Sequence, residues 1–330
     1  MKKKLILLTT SLLEIVILCA VLFFLYHKYC LWCNLAQSHK VVLMDKKDLV
    51  FPPIADLKYY YGLKPDTTKE EKPDWLPYKA VYHYNADGLN DWANHAVEKE
   101  KGVFRIITLG DSFTYGFLVN TNDSWPKQFE NLLNKNKKNC SINKFEVINL
   151  GAPGYDIQYI VERYKEKGIK YNPDLVIWFE SGSGFGRLNE MREPIVRDCA
   201  AHESTASAQE HEKNGDYYYC ASLAQKEIDQ KFSDEQKSVY ISQFLDTFFQ
   251  NIDPKKVRYY AFSFLGNKFA FNSWKNRYLD AKFLPTVSSI QEKNQILADG
   301  HPNVEGHQTI AKDIFDDVAK NIFSDCFDSF

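Results

Sequence analysis

Residues 106–116 read Ile-Ile-Thr-Leu-Gly-Asp-Ser-Phe-Thr-Tyr-Gly, a short apolar run that leads into a glycine-bounded turn. Because the run is short and a glycine follows it, it predicts a buried strand rather than a helix. Ser112 then lies just past the carboxyl end of this strand, where open α/β sheets bind their ligands. Gly110 permits a sharp turn, and the backbone N–H groups beyond it are free to face an anion. The alternative is that Ser112 only caps the next helix.

The rest of the 330-residue chain extends this strand into an alternating pattern. Strands are predicted at 105–109, 145–149, 174–180 and 257–262. Helices are predicted to begin at Ser124, at Asp156 or Gln158, and at Asp234, and a last helix reaches Phe323. Alternation at this spacing implies a parallel sheet with crossover connections. We therefore expect one α/β domain over residues 101–330, interrupted at about 186–233 by a polar insertion without a clear period.

Residues 1–33 predict a cytoplasmic tip and a membrane anchor. Three lysines precede an apolar run from Leu5 to Tyr26, which as a helix is about 33 Å long and spans a bilayer core. The lysines favour a cytoplasmic amino terminus, which places the α/β domain outside the cytoplasm. A cleaved signal peptide is the alternative, but the run is longer than its usual apolar region. Residues 34–100 are polar, aromatic and interrupted by prolines, and predict an extracytoplasmic spacer that packs on the α/β domain.

The composition excludes some function classes. The net charge is −2 and the sequence has no basic stripe, so we expect no nucleic-acid partner. Among the seven cysteines, we expect Cys199 and Cys220 to form a disulfide because they flank one polar stretch within the insertion. Cys30 and Cys33 have no second ligand pair at zinc spacing, so a zinc or redox role is not expected there. We expect neither a metal nor a cofactor.

Ser112 needs a base if it acts as a nucleophile, and that base needs a group that fixes its tautomer. Eight histidines are available. His301 stands out because Asp299 lies two residues before it, in a turn that contains Gly300 and Pro302. Local backbone geometry would hold the carboxylate and the imidazole together. The combination with Gly-Asp-Ser at the other end of an α/β pattern indicates a nucleophile, a base and an orienting carboxylate.

Three blocks of the sequence together resemble the SGNH (GDSL-type) hydrolase superfamily, and within it the membrane-anchored extracytoplasmic esterase or O-acyltransferase-like members. Residues 109–116 resemble the nucleophile block of the family, and residues 149–155 (Asn-Leu-Gly-Ala-Pro-Gly-Tyr) resemble its second block. Residues 299–307 (Asp-Gly-His-Pro-Asn-Val-Glu-Gly-His) resemble its final block. The likeness covers about residues 100–325, and the ordered set is far more specific than any single block.

The resemblance implies a flavodoxin-like three-layer α/β/α sandwich with a central parallel sheet. It also implies acyl transfer, in which Ser112 attacks an ester carbonyl, His301 accepts the proton and Asp299 orients the imidazole. Gly154 stands at the position of the family's oxyanion-hole glycine, so the N–H groups of Ser112 and Gly154 would stabilise the oxyanion.

The chain departs from the family at two places. The third block of the family supplies an asparagine as a further oxyanion donor, and here no Asn follows the third strand until Asn189. The hydroxyl of Ser183, the side chain of Asn189 and the N–H of Gly184 are the candidate replacements, of which we favour Ser183. The final block has one residue between Asp and His where the family more often has two, and His307 is a distant second choice for the base.

The leading functional hypothesis is therefore ester hydrolysis or acyl transfer outside the cytoplasm. The ester substrate would be linked to a carbohydrate, such as a cell-surface glycan, which rests on family analogy alone. One alternative, motivated by the missing Asn, is a catalytically impaired binding or assembly protein on the same fold. Another is a lipid-directed lipase or thioesterase, which a long apolar channel to Ser112 would favour.

Overall fold

The computed structural model describes residues 57–138, 140–182, 184, 186–206, 215–261, 282–283 and 286–327. Within these ranges the strands, in chain order, are β1 (Thr67–Glu71), β2 (Ala80–Tyr84), β3 (Val103–Leu109), β4 (Lys144–Asn149), β5 (Leu175–Glu180), β6 (Val257–Ala261) and β7 (Lys282–Phe283). β1 and β2 form an antiparallel pair. The other five form a parallel sheet in the order β4-β3-β5-β6-β7. The predicted α/β class with a central parallel sheet is confirmed, and the strand order is that of flavodoxin-like sheets.

Helices connect the parallel strands and cover both faces of the sheet. They are α1 (Ser112–Tyr115), α2 (Trp125–Asn136), α3 (Ile157–Arg163), α4 (Asn189–Ala206), α5 (Gly215–Lys231), α6 (Asp234–Phe249), α7 (Thr286–Glu292) and α8 (Val304–Asn321). All six residues of β5 are buried, which is typical of a parallel strand covered on both faces. Successive side chains of a strand point to opposite faces. Accordingly, Val176 and Trp178 pack with α3 and α6, whereas Ile177 and Phe179 pack with α2 and α8.

The residues before β3 pack around α1 through buried tyrosines. The hydroxyl of Tyr82 accepts a hydrogen bond from the N–H of Leu118 at 2.7 Å. The hydroxyls of Tyr84 and Tyr115 are 2.6 Å apart. Tyr82 and Tyr115 are almost fully buried, so part of the predicted spacer packs directly against the turn that carries Ser112.

A buried network of charges joins the same segment to the sheet. His95 lies between two carboxylates, 3.1 Å from Asp91 and 2.9 Å from Glu146. Arg105 of β3 contacts Glu146 at 2.5 Å, and Lys127 of α2 contacts Asp91 at 3.1 Å. Positive and negative groups alternate along this chain, which is how charges are tolerated in an interior.

The insertion predicted at about 186–233 contains helices rather than an irregular loop. α4 and α5 are joined by the predicted disulfide between Cys199 and Cys220, which is confirmed. A second disulfide, which the sequence analysis did not predict, joins Cys140 to Cys326 across 186 positions. These two cysteines are far apart in the sequence and do not bracket one short segment, so their spacing does not indicate that they pair.

The predicted anchor and the Cys30–Cys33 pair lie outside the described residues. Among the helices that the structure does describe, none combines the length and the apolar character needed to cross a bilayer. Asp156, one of two predicted starts, caps α3 by accepting a hydrogen bond from the N–H of Tyr159 at 3.0 Å.

Candidate active site

Ser112 is presented by a sharp turn between β3 and α1. A Cβ at Gly110 would lie 2.2 Å from the Thr114 hydroxyl oxygen and 2.5 Å from the carbonyl oxygen of Phe179, so only glycine fits there. Asp111 caps α1 by accepting a hydrogen bond from the N–H of Phe113 at 3.1 Å. The interpretation in which Ser112 merely caps the helix is therefore wrong, because Asp111 has that role. Ser112 is the first residue of α1, with 6% of its surface exposed.

Asp299 and His301 are held together by the turn before α8. The carboxylate of Asp299 accepts a hydrogen bond from the N–H of His301 at 3.1 Å, and its other oxygen lies 2.8 Å from Nδ1 of the imidazole. Gly300 between them has a φ of +88°, a conformation that glycine adopts readily. The rings of Phe113 and Phe117 pack against the imidazole, with centroids 5.2 and 4.8 Å away.

The structure brings the three predicted residues into one chain of hydrogen bonds. Nε2 of His301 lies 2.8 Å from Oγ of Ser112. Burial opposes the charge on Asp299, but the hydrogen bond from His301 and the electrostatic interaction with it outweigh burial and lower the pKa of that carboxyl. An ionised Asp299 accepts a hydrogen bond, so Nδ1 of His301 carries the proton and donates it to that bond. Nε2 is then left as the acceptor for the Ser112 hydroxyl.

His307 is not placed to act as the base. It is fully buried, and its Nδ1 accepts a hydrogen bond from the N–H of Trp125, at the start of α2, at 3.2 Å. Burial lowers the pKa of His307 to about 3, and the electrostatic interaction with His301 acts in the same direction. The second choice for the base is thus a neutral residue that caps a helix.

Gly154 lies at the third position of a tight turn over residues 152–155. The N–H of Tyr155 donates to the carbonyl oxygen of Ala152 at 3.4 Å, and Gly154 has a φ of +75°. Proline at the second position and a glycine of positive φ at the third define a type II β-turn. Within the described part of the chain, the backbone N–H groups of Ser112 and Gly154 donate no hydrogen bond to another protein group.

The three candidates for a further oxyanion donor have different outcomes. Ser183 lies outside the described residues. The N–H of Gly184 is used, because it donates to the carboxyl of Glu180 at 2.8 Å. The side-chain amide of Asn189 donates to the carbonyl oxygen of Gly154 at 2.8 Å, so it holds the turn that carries a predicted donor.

Glu180 is a residue near the site that the sequence analysis missed. It ends β5, is 3% exposed, and accepts hydrogen bonds from the N–H groups of Gly182 and Gly184. Burial and the nearby charge of Asp111 raise the pKa of Glu180 to about 8, although these hydrogen bonds act in the opposite direction. Asp111 also accepts a hydrogen bond from the hydroxyl of Ser181. A glutamate at the end of an otherwise apolar strand is the signal that points to this carboxyl.

Tyr61 is the second residue that was missed. Its hydroxyl donates to the carbonyl oxygen of Pro153, and its own carbonyl oxygen accepts a hydrogen bond from the hydroxyl of Tyr155. The carboxylate of Glu190 accepts from the N–H groups of Lys58 and Tyr59, both at 2.9 Å. The run of three tyrosines at 59–61 is the only sign of this contact in the sequence.

No group of three or more His, Cys, Asp or Glu side chains in the described ranges is arranged to hold a metal ion. The arrangement of Ser112, His301 and Asp299 provides a hydroxyl, an acceptor for its proton and a carboxylate behind that acceptor. These are the groups that activate a serine nucleophile.

Solved structures with a similar fold include three enzymes. A lipase/acylhydrolase from Enterococcus faecalis has 13% identity over 66% of this chain and 96% of its own, with a TM-score of 0.41. A psychrotrophic esterase from Pseudoalteromonas sp. has 11% identity over 66% and 97%, with a TM-score of 0.42. An acetylxylan esterase from Geobacillus stearothermophilus has 12% identity over 65% and 94%, with a TM-score of 0.38.

No known protein-family profile matches the sequence, and no curated protein matches it. The α/β class rests on the strand order and crossovers of the chain itself.

Proposed function

We propose that this protein is a serine-dependent esterase or O-acyltransferase of the SGNH type. The observation that carries the proposal is the chain of two 2.8 Å contacts from Ser112 Oγ through the imidazole of His301 to Asp299. Such a chain lowers the cost of removing the serine proton as the hydroxyl attacks.

In the first step, Ser112 Oγ bonds to the carbonyl carbon of an ester while Nε2 of His301 takes the hydroxyl proton. Asp299 stabilises the imidazolium that forms. The tetrahedral intermediate then breaks its bond to the leaving alkoxide, which receives that proton from His301. An acyl-serine remains. Water or an acceptor hydroxyl attacks it through the same proton transfers, which releases an acid or a new ester and restores Ser112.

The N–H groups of Ser112 and Gly154 are the oxyanion donors in this mechanism, and the hydroxyl of Ser183 is the third donor that we favour. Loss of one such donor typically costs about 3 kcal/mol of transition-state stabilisation. Gly154 and Ser112 both lie in turns after carboxyl ends of adjacent strands, β4 and β3, which is where an open α/β sheet binds its ligand.

We further propose that the enzyme acts outside the cytoplasm, anchored by residues 1–33, on an ester linked to a carbohydrate. Two disulfides support the location, because disulfides persist in oxidising compartments. The carbohydrate rests on analogy with the SGNH family.

The test compares the full-length protein in detergent with its Ser112→Ala variant. Each is mixed with 4-nitrophenyl acetate, and the release of nitrophenol and the intact mass are followed. We expect a burst and an acetyl adduct in the wild-type protein and neither in the variant. If both proteins are folded and show the same nitrophenol release and no adduct, the enzyme proposal fails. A binding or assembly function then replaces it.

The binding or assembly protein is kept as the second candidate because of two engaged donors. The Gly184 N–H and the Asn189 amide both donate elsewhere, so neither replaces the missing third-block Asn without a rearrangement.

Added acetylated and unacetylated oligosaccharides distinguish hydrolysis from transfer in the 4-nitrophenyl acetate assay. A preference for 4-nitrophenyl decanoate over the acetate would favour the lipase or thioesterase instead.

A further inference from the structure

The N–H of Gly154 and the carbonyl of Pro153 belong to the same peptide group. That group is planar and trans, so the N–H and the C=O point in opposite directions. Any contact that fixes the direction of the Pro153 carbonyl therefore also fixes the direction of the Gly154 N–H.

This peptide plane is the one that distinguishes the two commonest β-turns. In a type II turn the central plane is flipped by about 180° relative to a type I turn, and glycine at the third position accepts either form. The turn's own hydrogen bond, from Tyr155 to Ala152, is long at 3.4 Å and occurs in both turn types. The Asn189 amide binds the carbonyl of Gly154, which belongs to the next peptide group. The turn itself thus gives the plane that carries the predicted oxyanion donor little protection against a flip.

Tyr61 supplies a contact from outside the turn. Its hydroxyl donates to the Pro153 carbonyl oxygen and lies 2.8 Å from the position that a Cβ would occupy on Gly154. Its ring packs edge-on against Tyr155, with centroids 5.1 Å apart. Although 42% of Tyr61 remains exposed, the hydroxyl is directed at the turn.

The backbone around Tyr61 is itself anchored. The hydroxyl of Tyr155 donates to the carbonyl oxygen of Tyr61, and Glu190 binds the N–H groups of Lys58 and Tyr59. A short segment that precedes the whole sheet in the sequence is thereby fixed beside the second block.

We propose that Tyr61 is a positioning residue that holds the Pro153–Gly154 peptide in the orientation needed for the Gly154 N–H to stabilise the oxyanion. This inference rests on the proposed function. The donor is preorganised by a hydroxyl from the segment before the sheet, so it does not reorient as negative charge develops on the substrate.

The test is Tyr61→Phe in the full-length protein, with Tyr59→Phe as the matched control. The ring of Tyr59 packs against the guanidinium of Arg197 at 4.8 Å, and its hydroxyl makes no hydrogen bond in the described part of the chain. Loss of an oxyanion donor costs roughly 100- to 1,000-fold in kcat, and a donor that is misoriented part of the time costs less. We therefore expect Tyr61→Phe to lower kcat for 4-nitrophenyl acetate about tenfold with KM nearly unchanged. Tyr59→Phe should change neither constant.

Phenylboronic acid provides a second readout, because it forms a tetrahedral anionic adduct on a serine. Its inhibition constant should rise in Tyr61→Phe by the same factor by which kcat/KM falls, and Tm should show that the variant is folded. Wild-type kcat and unchanged inhibition in Tyr61→Phe would overturn the inference, whereas a wild-type protein no more reactive than Ser112→Ala would overturn the proposed function. If Tyr61→Phe does not fold, Tyr155→Phe removes the anchor of Tyr61, and an unchanged kcat there also overturns the inference.

Discussion

Nε2 of His301 lies 2.8 Å from Oγ of Ser112, although 189 positions separate the two residues in the chain. Ser112 follows β3, the first strand of the parallel sheet in chain order, and His301 precedes α8, the last described helix. Both turns reach the same edge of the sheet, so the contact depends on the complete crossover topology. Substitutions that leave the fold intact but break this contact are therefore the sharpest tests of the site.

Asp299→Asn should lower kcat roughly 10³- to 10⁴-fold, because an amide no longer stabilises the imidazolium of His301 and its NH₂ favours the wrong tautomer. The measurement is steady-state hydrolysis of 4-nitrophenyl acetate. Asp253→Asn is the control, since Asp253 is an exposed carboxylate at the amino end of β6. Equal rates in the two variants would contradict the role of Asp299.

His307→Asn should keep its activity, since the amide oxygen replaces Nδ1 as the acceptor for the Trp125 N–H. His301→Asn should lose the burst. The pKa of His307 is lowered from 6.5 to about 3, so the unfolded chain binds a proton that the native protein does not between these values. His307 therefore costs stability as the pH falls below about 6.5.

Urea unfolding of the wild-type protein and His307→Asn at pH 7 and pH 4.5 tests this effect of acid on stability. The wild-type free energy of unfolding should fall more between these two pH values than that of His307→Asn. If His307→Asn abolished turnover while it remained folded, His307 rather than His301 would have to be considered the base.

Glu180→Gln should make stability less dependent on pH in the neutral and alkaline range. The pKa of Glu180 is raised from 4.5 to about 8, so the native protein holds a proton that the unfolded chain releases between these values. Stability from this carboxyl is thus greatest below pH 4.5 and is lost as the pH rises towards 8. Gln keeps an acceptor for the N–H groups of Gly182 and Gly184 but does not titrate. Parallel pH dependences of the two proteins in urea unfolding at pH 5, 7 and 9 would refute this.

His95→Gln should remove a stabilising charge at acid and neutral pH. Burial opposes the charge of His95, but hydrogen bonds and charges of Asp91 and Glu146 outweigh it and raise its pKa from 6.5 to about 9. The stabilisation is complete below pH 6.5 and is lost as the pH rises to 9. The outer cations of the network, Lys127 and Arg105, are unchanged by this substitution.

The same network also contributes stability that is lost at acid pH. Burial opposes the charge of Glu146, but hydrogen bonds from His95 and Arg105 lower its pKa from 4.5 to about 2. Its stabilisation is present above pH 4.5 and is lost as the pH falls towards 2.

Thermal unfolding of the wild-type protein and His95→Gln at pH 5.5 and 9 checks the prediction for His95. The gap in Tm should narrow at pH 9, and a constant gap would argue against a charged His95.

The sequence predicts those features that depend on local pattern. The buried run into Ser112 indicates β3, and the turn at 299–301 places its carboxylate beside its imidazole because only Gly300 separates them. The features that escape prediction are contacts between distant segments. Glu190 binds Lys58 across 132 positions, and no periodicity reports such a contact.

The helical insertion escapes prediction for a related reason. α4 and α5 pack against one another through Val196, Cys220 and Ala224. Most of the apolar side chains of such a pair are not needed to cover the sheet, so the amphipathic period that identifies α2 or α8 is weak. β7 has two residues, which is too short for a period of two to be recognised.

The bond between Cys140 and Cys326 determines how the chain comes apart when a protease cuts it. A single cut anywhere between these cysteines, such as beside α4 or α5, yields two pieces that stay covalently joined and run as one band until a reductant is added. A cut before Cys140 separates a piece that no described disulfide retains, and a cut between Ser112 and Cys140 releases Ser112 with that piece. Gels run with and without reductant therefore report on which side of Cys140 the protease acted, and whether nucleophile and base still share one covalent molecule.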